Sequence, residues 1–306
     1  MAKSQGEIRT AINDKIVQAL EKGILPWIKP WRNDPNCMGQ HHNGVTDRPY
    51  RGVNPIMLEL ISMENGWVSN KWGTMRQWAQ LKGSIKGQKG TWVVFNKPIM
   101  TTDDKTGKEK VKFFLLKWFM VFNLQQVAGD DPRLEKLRPK TEEVIVDPLT
   151  AEFGTAKRIV KACKADGCKL THGGNRAYWT NDTENVHMPN RDQFATPSDY
   201  FETLFHELGH WTEQKRHTDW DRAKHGYAMG ELRAEVCCCY LANAANIPHA
   251  EGLENHTCYI SSWLEKMRED EKWIFKAMSF ADKAADCILH IAGMNDETKK
   301  DAAKAA

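Results

Sequence analysis

The sequence predicts an α+β protein with two domains, which we place at residues 1–138 and 139–306. The chain has 306 residues, about twice the usual length of one domain. Residues 1–140 contain 23 lysines and arginines against 13 acidic residues, a net charge of +10, whereas the rest of the chain has a net charge of −7. A polar stretch with two prolines, residues 129–143, lies between the halves and is typical of a domain boundary.

The first half combines helical and strand patterns. Apolar residues recur at helical spacing in two segments, and two apolar runs joined by a polar turn indicate a β-hairpin. Two prolines that flank a tryptophan predict a rigid, extended segment between the helices. In chain order we expect a helix over 5–22, an extended segment over 26–32, a helix over 74–81, and strands over 91–95 and 111–122.

The second half is expected to be mainly helical. Its patterns are amphipathic and long enough for helices, except for two short β patterns around a polar turn. In chain order we expect a helix over 149–165, strands over 177–179 and 186–188, and helices over 197–214, 227–245, 256–270 and 272–291.

The composition argues against a membrane or secreted protein. No stretch approaches the roughly 18 consecutive apolar residues of a spanning helix, and residues 1–12 lack the apolar core of a secretory signal. The eight cysteines include three in a row and form no Cys-x-x-Cys pair. We therefore expect buried thiols in a cytoplasmic protein rather than disulfide bonds.

Aromatic and basic residues alternate at three places in the basic half, which also contains 7 of the 12 tryptophans. Single-stranded nucleic acid binds to such mixtures because bases stack on aromatic rings while lysine and arginine neutralise phosphates. Taken singly, each of these residues is more often structural, so the prediction depends on the combined bias of the half. The candidate DNA-binding residues are Trp27, Trp31, Arg32, Tyr50, Arg51, Trp72, Lys86, Lys89 and Lys112.

The sharpest motif is an HExxH sequence that runs from His206 to His210. Histidines four apart on a helix point the same way, so both imidazoles can bind one metal ion. Glu207, beside the first histidine, is placed to take a proton from a water molecule at the metal. The apolar residues around the motif fall on one helix face, opposite the histidines, which favours a metal site over a chance match.

A catalytic zinc ion needs a third protein ligand, and the next helix offers Glu231 and Glu235, which are also four apart. We assign Glu231 as the ligand and Glu235 as the carboxylate that holds a ligating histidine through its other ring nitrogen. The reverse assignment stays open. The cysteines at 237–239 are a rival source of ligands, but they point in three directions and we expect them in the core. Zn²⁺ is the expected ion, with Mn²⁺ as the alternative.

Two further features suit a peptidase. An edge strand over 186–189, just before the metal-binding helix, would pair with an extended substrate backbone, although a plain core hairpin explains the same pattern. The oxyanion that develops during peptide cleavage needs a hydrogen-bond donor besides the metal. Tyr227, His256 and Tyr259 have the right chemistry for that role.

Together these motifs resemble the ArdC family of plasmid-borne antirestriction proteins. The resemblance covers about residues 5 to 290 and depends on several segments rather than on one. The matching segments are Pro26 to Trp31, Arg48 to Pro55, Trp72 to Gln77, Lys86 to Thr91, Phe205 to Thr212, Glu231 to Glu235 and His256 to Leu264. The family pattern usually has an acidic residue just before the third-ligand motif, where this chain has Gly230.

The resemblance implies an N-terminal domain that binds single-stranded DNA and a C-terminal zincin-like metallopeptidase domain. It also implies that the protein protects incoming conjugative plasmid DNA from host restriction. Two alternatives stay open: a non-catalytic coat on single-stranded DNA with a structural metal, and a DNA-triggered protease that cleaves itself or a host regulator. Glu207 favours the enzymatic hypotheses, because a purely structural zinc has no use for a general base.

Overall fold

The computed structural model describes residues 4–27, 40–102, 109–138, 153–214, 217–247 and 257–294. In the first half, the predicted α+β fold is confirmed, with both predicted helices and the predicted hairpin in place. Residues 28–32 of the predicted extended segment lie outside the described residues. The elements are α1 (Gln5–Glu21), β1 (His42–Asn43), α2 (Asn54–Asn65), β2 (Lys71–Gly73), α3 (Met75–Gln80), β3 (Thr91–Thr102), β4 (Glu109–Asn123) and α4 (Pro132–Glu135).

Helix α1 begins at a capping box. The hydroxyl of Ser4 accepts a hydrogen bond from the backbone of Glu7, and the Glu7 carboxylate accepts one from the backbone of Ser4. Ile8, Ile12 and Ile16 then recur every four residues and are all buried. The cap therefore fixes where the helix starts, and the isoleucine stripe fixes which face is buried.

The first sheet has the strand order β1-β2-β4-β3. Strands β3 and β4 form a long antiparallel hairpin, in which Thr91 is opposite Val121 and Phe95 is opposite Lys117. Val93 and Val121 share one face of this hairpin and are buried in a small core with Leu58 and Trp72.

Helix α2 is absent from the elements predicted above, because its apolar residues show no helical period. Ile56 and Leu60 belong to the large core of the protein, whereas Leu58 points to the small core under the first sheet. Even Glu59 is buried, where its carboxylate accepts from His41 at 2.7 Å. A helix that is buried on several sides gives no amphipathic pattern to detect.

The second half is mainly helical, as predicted. The elements are α5 (Gly154–Ala165), β5 (Lys169–His172), β6 (Tyr178–Thr180), β7 (Asn185–Met188), α6 (Pro197–Trp211), α7 (Arg222–His225), α8 (Tyr227–Ala244), α9 (Thr257–Glu269) and α10 (Trp273–Ile291). The patterns did not indicate the short elements β5 and α7. Residues 149–152 and His256, at the start of two predicted helices, lie outside the described part of the chain.

The second sheet has the order β5-β7-β6, so β7 is its central strand. Strand β7 pairs in parallel with β5 and antiparallel with β6. The interpretation of residues 186–189 as a free edge strand is therefore wrong, because both sides of β7 are already paired. The core-hairpin alternative is right for β7, and β5 and β6 are the two edge strands of this sheet among the described residues.

Helix α8 is the centre of the second half. Every residue from 229 to 242 is buried, including the cysteines at 237–239. Helix α6 approaches α8 closely because Gly209 faces Ala234: a Cβ atom at position 209 would lie 3.0 Å from the Ala234 Cα. The glycine inside the HExxH motif thus brings the histidine-bearing helix against the helix that carries Glu231.

The two halves share one large hydrophobic core. Ile12 of α1 and Ile56 of α2 belong to the same buried cluster as Phe205 of α6, Leu232 of α8 and Ile274 of α10. The predicted boundary near residue 138 stays a prediction, because residues 139–152 lie outside the described ranges. Within the described ranges, none of the helices has the length and apolarity needed to cross a membrane.

Candidate metal centre

The two histidines of the HExxH motif lie in the C-terminal part of helix α6. Thr196 and Asp199 form a capping box at its start, with Pro197 in the first turn. Phe205 and Leu208 are buried in the large core, which fixes the rotation of the helix. The histidines consequently face away from the core and towards α8.

Three ligand atoms converge between α6 and α8. The Nε2 atoms of His206 and His210 are 3.2 Å apart, and Oε2 of Glu231 lies 3.7 Å from the first and 3.5 Å from the second. Tetrahedral zinc ligands at about 2.0–2.1 Å from the ion are about 3.3–3.4 Å from one another. The three atoms therefore have the chemistry and the spacing of a divalent-metal site.

Glu235 lies behind the site and not within it. Its Oε2 atom is 3.4 Å from Nδ1 of His206, on the far side of the imidazole ring. Burial opposes a charge on His206, but contacts with Glu231 and Glu235 outweigh it and raise the pKa of His206 to about 10. This geometry favours Glu231 as the ligand and Glu235 as the residue that supports His206, which is the assignment made from sequence.

Glu213 supports His210 at its Nδ1 atom, as Glu235 supports His206. It is not among the residues predicted from the sequence. Its Oε1 atom lies 2.7 Å from Nδ1 of His210. Burial alone would raise the pKa of Glu213, but Arg222 and His210 hydrogen-bond to the carboxylate and lower it to about 2. A signal was present, because Glu213 is three residues after His210, close to the same helix face.

Glu207 is 8% exposed and lies between the metal ligands and the second sheet. Burial raises its pKa, while His206 and His210 oppose that rise. The carboxylate also accepts a hydrogen bond from the backbone of Trp179 on β6. Strand β6, one of the two edge strands of the second sheet, therefore passes directly beside Glu207, the candidate general base.

Two of the three candidate oxyanion donors lie together. The hydroxyls of Tyr227 and Tyr259 are 3.2 Å apart, and Tyr227 is 58% exposed. Tyr227 is one turn before Glu231 on α8, so both point to a similar face of the helix. His256 lies outside the described residues.

Among the described residues, the candidate DNA-binding residues are not brought together on one surface. Trp27 and Trp72 are buried at 4% and 0% exposure, so no base can stack on their rings in this conformation. The phenol of Tyr50 is largely buried, which raises its pKa to about 12. Arg51 forms an ion pair with Asp286 at 2.6 Å.

The remaining candidates divide into two groups. Lys86 and Lys89 are exposed, on the loop that precedes β3. Trp31 and Arg32 lie outside the described residues, and Lys112 is on β4 with its side chain outside the described part. The two lysines are thus the candidates that the structure leaves available to a phosphate backbone.

The hairpin has exposed aromatic residues that the list of candidates omitted. Phe95 and Phe119 are 54% and 47% exposed, and Lys117, also exposed, is directly opposite Phe95. Phe119 is opposite Val93, so the two phenylalanines are diagonal neighbours on one face. The alternating sequence from Lys112 to Phe119 contained this signal, but it does not reveal where along that face the buried core ends, since Val93 and Val121 are buried on the same face.

Similar proteins agree with both halves of this description. Residues 6–122 match the N-terminal domain of anti-restriction factor ArdC, and residues 155–280 match a zincin-like metallopeptidase domain. Protein y4eC of Sinorhizobium fredii is 30% identical over 294 residues, which cover 92% of this chain and 91% of that protein. DNA primase TraC of Escherichia coli is 30% identical over 300 residues, which cover 91% of this chain but only 19% of TraC. The chain thus spans about a fifth of the length of that primase.

Solved structures extend the similarity to the whole fold. The metal-free crystal structure of antirestriction protein ArdC from plasmid R388 has a TM-score of 0.71 and 31% identity, and the match covers 93% of this chain and 97% of that one. A Mn(II)-bound structure of the same protein gives a TM-score of 0.70 at 30% identity.

Proposed function

The chain belongs to the ArdC family of antirestriction proteins, and from that premise we propose that it protects incoming plasmid DNA from host restriction. The proposed activity has two parts. The first half binds single-stranded DNA, and the second half cleaves a protein at a zinc site. The observation that carries the second part is the convergence of His206, His210 and Glu231 beside a buried Glu207.

The three converging residues would hold the ion. Two imidazoles and one carboxylate form a donor set that suits Zn²⁺, and Mn²⁺ is the alternative. When bound, such an ion polarises a carbonyl group and lowers the pKa of a water molecule. Glu235 and Glu213 keep the two histidines oriented by accepting from their Nδ1 atoms.

Each role in peptide cleavage has a candidate residue around the ligands. Glu207 accepts the proton of the attacking water, because it is the buried carboxylate adjacent to the ligand His206. The free side of β6 offers backbone groups to an extended peptide, and β6 passes beside Glu207. The hydroxyls of Tyr227 and Tyr259 are donors for the developing oxyanion.

Single-stranded DNA binding is supported by the net charge of +10 in residues 1–140 and by the exposed end of one hairpin face, beyond the buried Val93 and Val121. Phe95 and Phe119 offer two stacking surfaces, and Lys117 lies between them on the same face. Lys86 and Lys89 extend the positive charge along the neighbouring loop. Stacking accepts every base, so little sequence preference is expected.

The cytosol is the proposed site of action. The cysteines at positions 163 and 237–239 are free and buried, and burial raises the pKa of the Cys163 and Cys237 thiols. Buried, unpaired thiols are typical of a reducing compartment.

The decisive experiment is plasmid transfer into a restricting host that produces the Glu207→Gln variant. This substitution leaves the three ligands intact, so metal content should match the parent while peptide cleavage and protection are both lost. The matched control is Glu265→Gln, the same change at an exposed site on α9, which should protect like the parent. Full protection by Glu207→Gln would instead support the non-catalytic coat on DNA.

A further inference from the structure

Arg222 lies beside the candidate metal centre and contacts two of its carboxylates. Its Nε and Nη2 atoms donate to Oε2 and Oε1 of Glu213 at 2.8 and 2.7 Å. Its Nη1 atom lies 3.4 Å from Oε1 of Glu231. Because the guanidinium group is planar and rigid, one arginine fixes the position of both carboxylates at once.

Through Glu213, Arg222 also determines which nitrogen of His210 is free to bind a metal. A carboxylate only accepts hydrogen bonds, so Nδ1 of His210 must donate to Glu213 across their 2.7 Å contact. The lone pair of a neutral His210 is then on Nε2, the atom that faces the metal site. Nη2 of Arg222 is 2.9 Å from the same Nδ1, but two donors form no bond, so this approach does not compete.

Because Arg222 contacts Glu231, the two carboxylate oxygens of Glu231 have different partners. Oε2 faces the Nε2 atoms of both histidines, whereas Oε1 faces Arg222. One oxygen is therefore available to the metal, and the other is held by the arginine. Such a division favours a single metal–oxygen contact and fixes the side chain before the ion arrives.

Arg222 occupies a slot that depends on Gly230. A Cβ atom at position 230 would lie 3.0 Å from Nη2 and 3.1 Å from Cζ of Arg222, tighter than ordinary packing. On the other side, the ring of Tyr227 lies 5.5 Å from Cζ of the arginine. The absence of a side chain at position 230 thus lets the guanidinium lie against α8 and reach both carboxylates.

We propose that Arg222 is the positioning residue that holds His210 and Glu231 in ligating geometry, and that Gly230 makes the room for it. The arginine clamps the two ligands from behind and does not touch the metal or the substrate. This inference rests on the proposed metal site and concerns how that site is ordered.

The test is titration of the full-length protein with ZnCl₂ and with MnCl₂ in competition with a chelator of known affinity. Arg222→Gln should bind both ions about 10–100-fold more weakly, the usual effect of removing a residue that supports a ligand. Arg222→Lys should be similarly weak, because one ammonium group cannot donate in a fork to Glu213 while it contacts Glu231. The matched control is Arg268→Gln, which removes an exposed arginine that pairs with Glu21 and should bind metal like the parent.

Gly230→Ala separates positioning from folding. Alanine is the better helix former by about 1 kcal/mol, which offsets the cost of moving the guanidinium, so the thermal midpoint of the metal-free protein should change little. Metal affinity should nevertheless fall, because the new methyl group displaces the guanidinium. A loss of metal affinity without a matching loss of stability is not expected of a residue with a merely structural role.

A spectroscopic signature completes the test. In the zinc-loaded parent, the Nδ1 proton of His210 should give a slowly exchanging NMR signal, and Arg222→Gln should lose it because Glu213 is no longer held. Parent-like affinity in Arg222→Gln, or full affinity in Arg222→Lys, would contradict the inference while leaving the metal site in place. Failure of the parent itself to bind either ion would instead reject the proposed function.

Discussion

The hydroxyl of Tyr240 donates a 3.1 Å hydrogen bond to the carbonyl oxygen of Gly52. Tyr240 is on α8, the helix that carries Glu231, whereas Gly52 precedes α2 in the basic half. Nearby, Asp282 of α10 accepts from the backbone of Gly52. The loop before α2 is therefore fixed to two helices of the metal-binding half by polar contacts as well as by the shared core.

The buried carboxylate of Asp282 predicts a pH dependence of stability. Burial raises its pKa to about 7, with Asp286 adding to the rise and Arg51 opposing it; the buried Tyr240 phenol also faces it. The folded chain then keeps a proton that the unfolded chain loses above about pH 4. The contribution of Asp282 to stability should therefore fall as the pH rises from about 4 to 7 and be absent above that.

The check is the urea midpoint of unfolding at a series of pH values. Asp282→Asn should lose much of this fall, because an amide has no proton to release. Asp182→Asn, an exposed aspartate in the β6–β7 turn, should keep the pH profile of the parent. An unchanged profile in Asp282→Asn would show that the carboxylate does not titrate in this range.

The two glutamates on α8 should differ in their effect on metal binding. Glu231→Ala removes a ligand and should abolish stoichiometric zinc binding, whereas Glu235→Ala removes only the support of His206 and should weaken it about 10–100-fold. Metal content after dialysis at graded chelator concentrations distinguishes the two. If Glu235→Ala loses the metal and Glu231→Ala retains it, Glu235 is the ligand and Glu231 is the supporting carboxylate.

The hairpin face should contribute to binding of single-stranded DNA. Phe95→Ala and Phe119→Ala should each weaken binding of an oligonucleotide by about 1–3 kcal/mol if a base stacks there. Tyr178→Ala is the matched control, because Tyr178 is 46% exposed but lies in the acidic half. A fluorescence anisotropy titration at low and high salt measures all three; parent-like affinity in both phenylalanine variants would exclude this face.

The shared core predicts that the chain unfolds as one unit. Ile16 on α1 is fully buried, so Ile16→Ala should destabilise the protein by about 2–5 kcal/mol. Its effect should appear in one cooperative transition that includes the metal-binding half. Two separate calorimetric transitions, with only one of them shifted by Ile16→Ala, would contradict this.

Much of the metal centre could be predicted from sequence because its residues come in local patterns. His206 and His210 are spaced by one helical turn, and the apolar residues around them indicate which face is buried. Glu231 could be proposed because it lies on the next long helix. Arg222 could not, since it belongs to a four-residue helix with no periodicity, and its role depends on the empty position at Gly230.

The DNA-binding residues were harder to predict, because alternation of aromatic and basic residues does not reveal which side chains are buried and which are exposed. Trp72 was a candidate for stacking, yet it is fully buried and its Nε1 donates to Nδ1 of His41. Phe95 and Phe119 were not candidates, yet they are exposed. These residues lie on the same face of the first sheet as the buried Val93 and Val121. The deciding factor is therefore how far along the strands the core under α2 extends, and α2 itself gives no amphipathic signal.

The core common to both halves has a consequence for how such a unit can be inherited. Separating the halves would leave the isoleucine stripe of α1 and one side of α2 facing water. Neither half is therefore suited to be inherited without the other. We therefore expect a gene fusion that carries this unit to transfer it whole. The similarity to TraC, which extends over 300 residues within a much longer protein, agrees with transfer in a single piece.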